Sequence, residues 1–291
     1  MRNRKIVSGF LIALLISNIL AWLAVYDLSG PGFLEVTFFD VGQGDAVFIE
    51  TSQGQQILMD GGPDSTILDK LAKAMPFCDR TVDLIILTHP EHDHMAGLLE
   101  VLKRYKVENI LWTGTIRDTA EYKEWERLIQ EEKARIIIAQ AGQVICGGRT
   151  SAGRFDLSVL FPFEDLEGKV FKDSNNTSIV AKLTFGENSF LFTGDIYKSI
   201  EKMLLEKGID IDSDVLKIGH HGSKTSTAEN FIEKVSPEIA VISVGKENRY
   251  GHPHQETLDT LEKYGINILR TDRDGDIKII SNGTNYEVSN F

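Results

Sequence analysis

The chain has 291 residues, 25% charged and 9% aromatic, which allows one or two globular domains and excludes a low-complexity polymer. Cysteine is limited to Cys78 and Cys146, which excludes a disulfide framework and a Cys-rich zinc module and leaves open whether these two pair. Basic residues number 31 against 43 acidic ones, a net charge of −12 that does not attract polyanions at long range, so a nucleic-acid substrate would need a local basic patch or metal ions.

Arg2, Arg4 and Lys5 precede an uncharged apolar run at 6–26, broken only by Ser8, Gly9, Ser17 and Asn18. As a helix, 21 residues reach about 31 Å, enough to cross a bilayer core of about 30 Å. Positive residues before the run and Asp27 after it put the N-terminus in the cytoplasm and the remainder outside. The expectation is a single-pass membrane protein, anchored through 6–26, with an extracytoplasmic domain. A cleaved signal peptide is the competing reading. A cut after Ala24 leaves Trp22 where a small residue is preferred. A buried core helix is the third reading, and the run's length and asymmetric flanks argue against it. Without Arg2, Arg4 and Lys5 the remainder has 28 basic and 43 acidic residues, about −15. The expected organisation is an anchor and linker at 1–30 and one domain at 31–291.

After Gly30-Pro31-Gly32, strands and helices alternate without a second linker. Residues 35–40 and 46–50 read as strands joined by the turn Gly42-Gln43-Gly44-Asp45, and 56–59 as a third strand ending at Asp60-Gly61-Gly62-Pro63. Residues 65–74 form an amphipathic helix. The continuous apolar run at 82–88 marks a strand buried on both faces. Helices follow at 96–105 and 119–133, with an extended segment at 109–112 between them. Strands follow at 136–139, 157–161, 178–185 and 189–193, then a helix at 196–207. Another buried strand at 215–218 ends at Gly219-His220-His221-Gly222. A helix at 227–235, a strand at 239–244, a helix at 256–264 and strands at 266–269 and 277–280 complete the chain. Mixed elements of this kind place helices on the outer faces of two packed sheets.

His89-x-Glu91-x-Asp93-His94 is the strongest chemical signal, with three imidazoles (His92 included) and two carboxylates in a turn after a buried strand. Imidazole and carboxylate are the usual ligands of a borderline divalent metal, and three of only seven histidines in one polar loop argue against plain solvation. Asp195 also follows an apolar strand. Alone it reads as a turn cap; in company with the other motifs it can bridge two metals. The pair His220-His221 follows the 215–218 strand. One of the two ligates and the other orients a ligand or touches substrate, and the residues alone do not say which. Asn175-Asn176-Thr177-Ser178 matches a glycosylation sequon, set aside because a buried strand follows.

The ordered set of a strand, a His-x-x-x-Asp-His turn, a later Gly-Asp and a still later His resembles the metallo-β-lactamase-fold hydrolases. The finer likeness is to the C-terminal hydrolase domain of ComEC-type competence proteins. It is carried by FFDVGQGDA (38–46), MDGG (59–62), THPEHDHMAGL (88–98), NNTSIV (175–180), FLFTGDI (190–196), DVLKIGHHGSKTS (214–226), SVGKENRYGHPH (243–254) and RTDRDGDI (270–277). The resemblance covers almost everything after residue 33 and lacks the many-helix channel of that family. It implies an α+β fold, a four-layer αββα sandwich preceded by the membrane helix, with metals at the sheet edges. It assigns Asp93, His94, Asp195 and a histidine of the 220/221 pair, leaning to His220, to one metal site. His89 goes to the other, with Asp195 bridging. Glu91 and Asn175 (or Asn176) stand where many superfamily members carry histidine, and an oxygen-richer site favours manganese or magnesium over zinc there. The likeness gives Asp60 a buttressing role. It puts Gln43, Asp45 and Ser223 beside the ligands or substrate, and makes His252, more than His254, a contact for an anionic group.

The implied activity is hydrolysis by a metal-activated hydroxide, using one or two divalent ions, zinc or manganese. Asp93, His220, His221 and His252 are the candidate catalytic residues. Three readings stand side by side: a phosphodiesterase or nuclease acting on single-stranded DNA, a cell-envelope esterase such as one cleaving phosphocholine, and a metal-containing binding domain without catalysis. Lys217, Lys224, Lys246 and Arg249 gather in sequence near the site motifs. No obligate protein partner is implied.

Overall fold

The computed structural model describes residues 2–29, 32–150 and 152–290, and among the side chains of its first helix only Val7 and those at 9–22. β1 (Leu34–Phe38), β2 (Val47–Glu50), β3 (Gln56–Met59), β4 (Thr81–Leu87), β5 (Lys106–Trp112) and β6 (Arg135–Ile138) lie side by side in chain order in one sheet. β7 (Val144–Thr150), β8 (Gly153–Phe161), β9 (Val180–Phe185), β10 (Asn188–Phe192), β11 (Val215–Lys217), β12 (Ile239–Ile242) and β13 (Asn267–Arg270) form the second. β14 (Ile277–Ser281) and β15 (Tyr286–Asn290) then return to the first sheet beside β1.

Pairing is parallel only along β3–β6 and β10–β13. Parallel neighbours need a crossover, and each pair has one helix. After α1 (Arg2–Ser29), the crossovers of the first sheet are α2 (Thr66–Ala74), α3 (His92–Leu102) and α4 (Ala120–Glu132). Those of the second are α5 (Lys198–Glu206), α6 (Glu229–Val235) and α7 (Gln255–Lys263), and a short α8 (Thr271–Asp274) follows β13. Three cores separate the layers. Phe38, Ile86, Leu157, Phe190 and Val241 fill the space between the sheets. Ile85, Leu98, Trp112 and Trp125 pack helices on the first sheet, and Leu191, Leu204, Phe231 and Leu261 do so on the second. This is the α+β arrangement of two mixed sheets that the alternation of elements predicts.

The expected membrane anchor is corrected. Among the described residues no helix is long and apolar enough to cross a membrane. The single-pass placement, with a cytoplasmic N-terminus and an extracytoplasmic domain, falls with the span. Of the charges used to orient it, Arg2, Arg4, Lys5 and Asp27 lie outside the described side chains, and Gly30 and Pro31 of the linker lie outside the described residues.

Two further differences have local causes. The third helix begins at His92, not at residue 96, because Glu91 takes the N-cap backbone conformation and the metal-type run itself forms the first turn. β7 is a half-exposed edge strand containing Gly147-Gly148, so its sequence carries no apolar–polar alternation to read. Cys78 and Cys146 are both exposed and free.

Candidate metal centre

Four strand ends build the site. Asp60 follows β3, His89 follows β4, Asp195 follows β10 and the His220-His221 turn follows β11. All four lie at the C-terminal ends of parallel strands, where a rigid sheet presents side chains from several segments together. The backbone is strained at three of these positions. Asp60 (φ 59°), His220 (φ 49°) and His221 (φ 53°) occupy the left-handed region without being glycine. Such conformations cost about 1–3 kcal/mol each and persist where surrounding contacts enforce them. Gly44 meets a related demand: a Cβ there would lie 2.2 Å from the carbonyl oxygen of Asp93, so only glycine lets the 42–45 turn reach the start of α3.

Asp93, His94, Asp195 and His221 converge, one ligand atom from each lying within 4.8 Å of every other. His94 Nε2 and His221 Nε2 are each 3.4 Å from Asp195 Oδ2, and His221 Nε2 is 3.3 Å from Asp93 Oδ2. The remaining nitrogens are tied back. His94 Nδ1 bonds Asp60 Oδ2 at 2.8 Å, and His221 Nδ1 bonds the carbonyl oxygen of Ser243 at 2.9 Å. Asp60 also accepts from the amide and hydroxyl of Thr88, at 2.8 and 2.7 Å, and that hydroxyl lies 3.0 Å from His89 Nδ1. Asp60 therefore orients His94 directly and His89 through Thr88, the outer-shell arrangement that aims imidazole Nε2 atoms inward.

The inward-facing atoms are unsatisfied. His89 Nε2, His94 Nε2, His221 Nε2 and Asp195 Oδ1 are buried and have no hydrogen-bond partner among the described residues. Native proteins seldom leave buried polar atoms unpaired, and a cluster of four calls for a missing partner. Two imidazoles and two carboxylates in mutual reach fit a divalent ion.

The electrostatics agree. Burial disfavours charge on Asp195, but His221 and His94 outweigh it and hold the carboxyl well below its usual range. Asp93 is held low in the same way, against burial, by His94 and His221. The converse holds for His94 and His221: burial opposes their charge, and Asp195 with the neighbouring carboxylates raises both well above the ordinary imidazole value. His89 is different. Burial and the charge of His94 depress it to about 3, so it is a neutral imidazole.

The other predicted residues take separate places. His221, not His220, joins the cluster. His220 Nδ1 lies 3.1 Å from the Thr225 hydroxyl and its Nε2 3.4 Å from Asn175 Nδ2, so both ring nitrogens are engaged. Asn175 Nδ2 also donates to the Tyr197 hydroxyl at 3.1 Å. Glu91 is held by Arg117 and Ser174. His92 points to Glu121, 3.6 Å away, and is exposed. Asp45 is buried under the site, pairs with the Lys217 ammonium, and places Oδ1 3.3 Å from His221 Nδ1. Gln43 lines the cleft above the cluster, and its Oε1 accepts from the amide of Gly245 at 3.2 Å. Ser223 turns instead to the Thr225 hydroxyl, 2.9 Å away, and His254 Nδ1 accepts from the amide of Lys224. His252 lines the cleft, and burial with the charges of His221 and His220 lowers it to about 4.

That cleft holds about 170 Å³ over Asp93, Asp195, His220, His221 and His252. It shares Gln43, Glu91, Asp93 and Tyr250 with an adjoining groove of about 440 Å³ that extends along Arg249. A separate apolar cavity of about 440 Å³ among Ile57, Leu84, Leu111 and Phe155 includes none of the clustered residues. Sequence reading missed Arg117, Ser174 and Tyr197. Ser174 had a faint signal in standing next to Asn175, and Arg117 had none.

Comparison with known proteins adds family evidence. The family model described as the metallo-beta-lactamase superfamily matches residues 39–246. "ComE operon protein 3" of Bacillus subtilis (strain 168) is 33% identical over 269 residues, covering 86% of this chain and 33% of that protein. "Competence protein ComA" of Neisseria gonorrhoeae is 31% identical over 242 residues, covering 82% and 31% respectively. The chain thus spans about a third of the length of these curated relatives. Among solved structures, the long-form RNase Z from yeast aligns over 77% of this chain and 39% of its own, with 13% identity and a TM-score of 0.46.

Proposed function

The chain belongs to the metallo-β-lactamase superfamily, and on that premise we propose that it is a divalent-metal-dependent hydrolase of phosphodiester bonds. The observation that carries this reading is the convergence of Asp93, His94, Asp195 and His221, with buried Nε2 atoms of His94 and His221 that have no hydrogen-bond partner among the described residues. Asp93, His94, Asp195 and His221 would hold the ion, and zinc or manganese suits that donor set. When bound, such an ion lowers the pKa of water to about 7 and polarises the group under attack.

The chain's own residues supply the rest. Asp60 fixes the ring of His94, and the Ser243 carbonyl fixes that of His221, so neither ligand has to reorganise. His252 and His220 are lowered by burial and stay neutral near pH 7. A neutral imidazole donates one hydrogen bond without adding charge. His220 spends its nitrogens on Thr225 and Asn175. His252 is therefore the group that meets a phosphoryl oxygen or the departing oxygen in the cleft. The competence designation of the Neisseria gonorrhoeae relative favours a nucleic-acid phosphodiester over another ester. The net charge of −12 argues that the metal, not a basic groove, draws the phosphate.

The test is a side-by-side assay of the full chain, loaded with manganese or zinc, on bis-p-nitrophenyl phosphate, single-stranded DNA and a phosphocholine ester. Metal-dependent turnover of the first two, abolished by a chelator, is expected. Turnover of the phosphocholine ester alone would replace the phosphodiesterase reading with an esterase. No turnover on any of them, with ion bound, would leave a binding domain.

A further inference from the structure

The run His89-x-Glu91-x-Asp93-His94 contains donors for a second ion, but Glu91 is withdrawn from that use. Arg117 forks onto it, with Nη1 2.7 Å from Oε1 and Nη2 3.0 Å from Oε2. The Ser174 hydroxyl donates to the same Oε1, and Arg117 Nη1 reaches the Ser174 oxygen at 3.2 Å. Both carboxylate oxygens are thus engaged by one planar donor, the strong bidentate geometry of arginine and carboxylate. Asn175, the other oxygen donor nearby, turns its amide nitrogen to Tyr197 and His220.

Two buried atoms without a hydrogen-bond partner among the described residues remain beside the cluster, His89 Nε2 and Asp195 Oδ1. Protein sites for zinc and related ions offer three or four ligands, so two do not make one. A guanidinium has no acceptor atom and keeps its charge, so it neither ligates nor leaves Glu91 free to attract a cation.

We propose that the chain holds a single divalent ion, at Asp93, His94, Asp195 and His221. Arg117 closes the second position by clamping Glu91 away from His89 and Asp195. The inference rests on the metal-dependent reading above, and metal counting separates the two. The full chain is saturated with zinc or manganese, desalted, and its ions counted by native mass spectrometry and elemental analysis. Wild type is expected to hold one ion per chain, Arg117→Ala two, and the double variant Arg117→Ala with Glu91→Gln one again. Two ions in wild type, or one in folded Arg117→Ala, overturn the inference while leaving the hydrolase reading intact. No ion in wild type overturns both. Should Arg117→Ala fail to fold, His89→Ala decides: one ion bound with unchanged affinity supports the inference, and loss of the ion makes His89 a ligand and overturns it.

Discussion

Lys217 and Asp45 form an ion pair sealed beneath the metal cluster, with side chains only 2% and 4% exposed. The pair joins the end of β11 to the turn before β2, and Asp45 reaches His221 from below. Burial disfavours charge on Asp45, but Lys217 and His221 outweigh it and keep the carboxyl low. Removing one partner of a buried pair leaves an uncompensated charge. Lys217→Met is expected to destabilise the metal-free protein by about 3–5 kcal/mol, and pairing it with Asp45→Asn to recover most of that. Urea unfolding measures both, and an unchanged midpoint in the single variant would contradict the pair's role.

The adjacent histidines make opposite predictions. His221→Ala removes a clustered nitrogen and is expected to abolish tight ion binding. His220→Ala is expected to keep the ion and to change turnover only, since both His220 nitrogens face protein groups. Calorimetric titration with zinc separates the two, and the reverse pattern would reassign the ligand.

Ion binding should release protons. His94 and His221 are raised well above the ordinary imidazole value; burial opposes this, and Asp195 with neighbouring carboxylates prevails. Both carry protons near neutrality without the ion, and only neutral imidazole ligates. Affinity is therefore expected to strengthen as pH rises, by up to about tenfold per unit for each proton displaced. Titration in buffers of different ionisation enthalpy counts those protons, and a count of zero would contradict the assignment.

Glu201 on α5 supports the loop after the histidine pair. Its oxygens accept from the amides of Thr227 at 2.6 Å and Ala228 at 2.8 Å. Burial raises its carboxyl from 4.5 to about 7, against those two bonds. An acid raised in the folded state adds stability that is full below its unfolded pKa and is lost as pH climbs through the folded one. The window runs from about 4.5 to about 7. Glu201→Gln is expected to flatten that part of the melting-temperature profile. It should also lower stability by about 1–3 kcal/mol, because the amide group opposes one backbone N–H. A variant with the wild-type slope would contradict this.

The legible part of the molecule was the part written locally. The apolar runs of β4 and β11 announced buried strands, and the polar residues after them marked where the site would form. The choice between His220 and His221 was not legible, because both residues sit in left-handed backbone and only the fold decides which ring joins the cluster. Arg117 meets Glu91 across 26 residues, and Ser174 meets it across 83, pairings that no local pattern encodes. Lys217 read as one of several cations near the site, whereas its place in β11 buries it beneath Asp45. The apolar run at 6–26 suggested a bilayer span by composition alone, and the described residues contain no helix that would cross one.

The central claim is that hydrolysis depends on an ion held by Asp93, His94, Asp195 and His221. Its most direct test compares wild type and Asp195→Ala, each with measured ion content, in turnover of bis-p-nitrophenyl phosphate with added manganese. The account predicts manganese-dependent turnover in wild type. In the variant it predicts a loss of at least about 100-fold together with loss of bound ion. Wild-type turnover in Asp195→Ala, or turnover that survives complete removal of the ion, would contradict it.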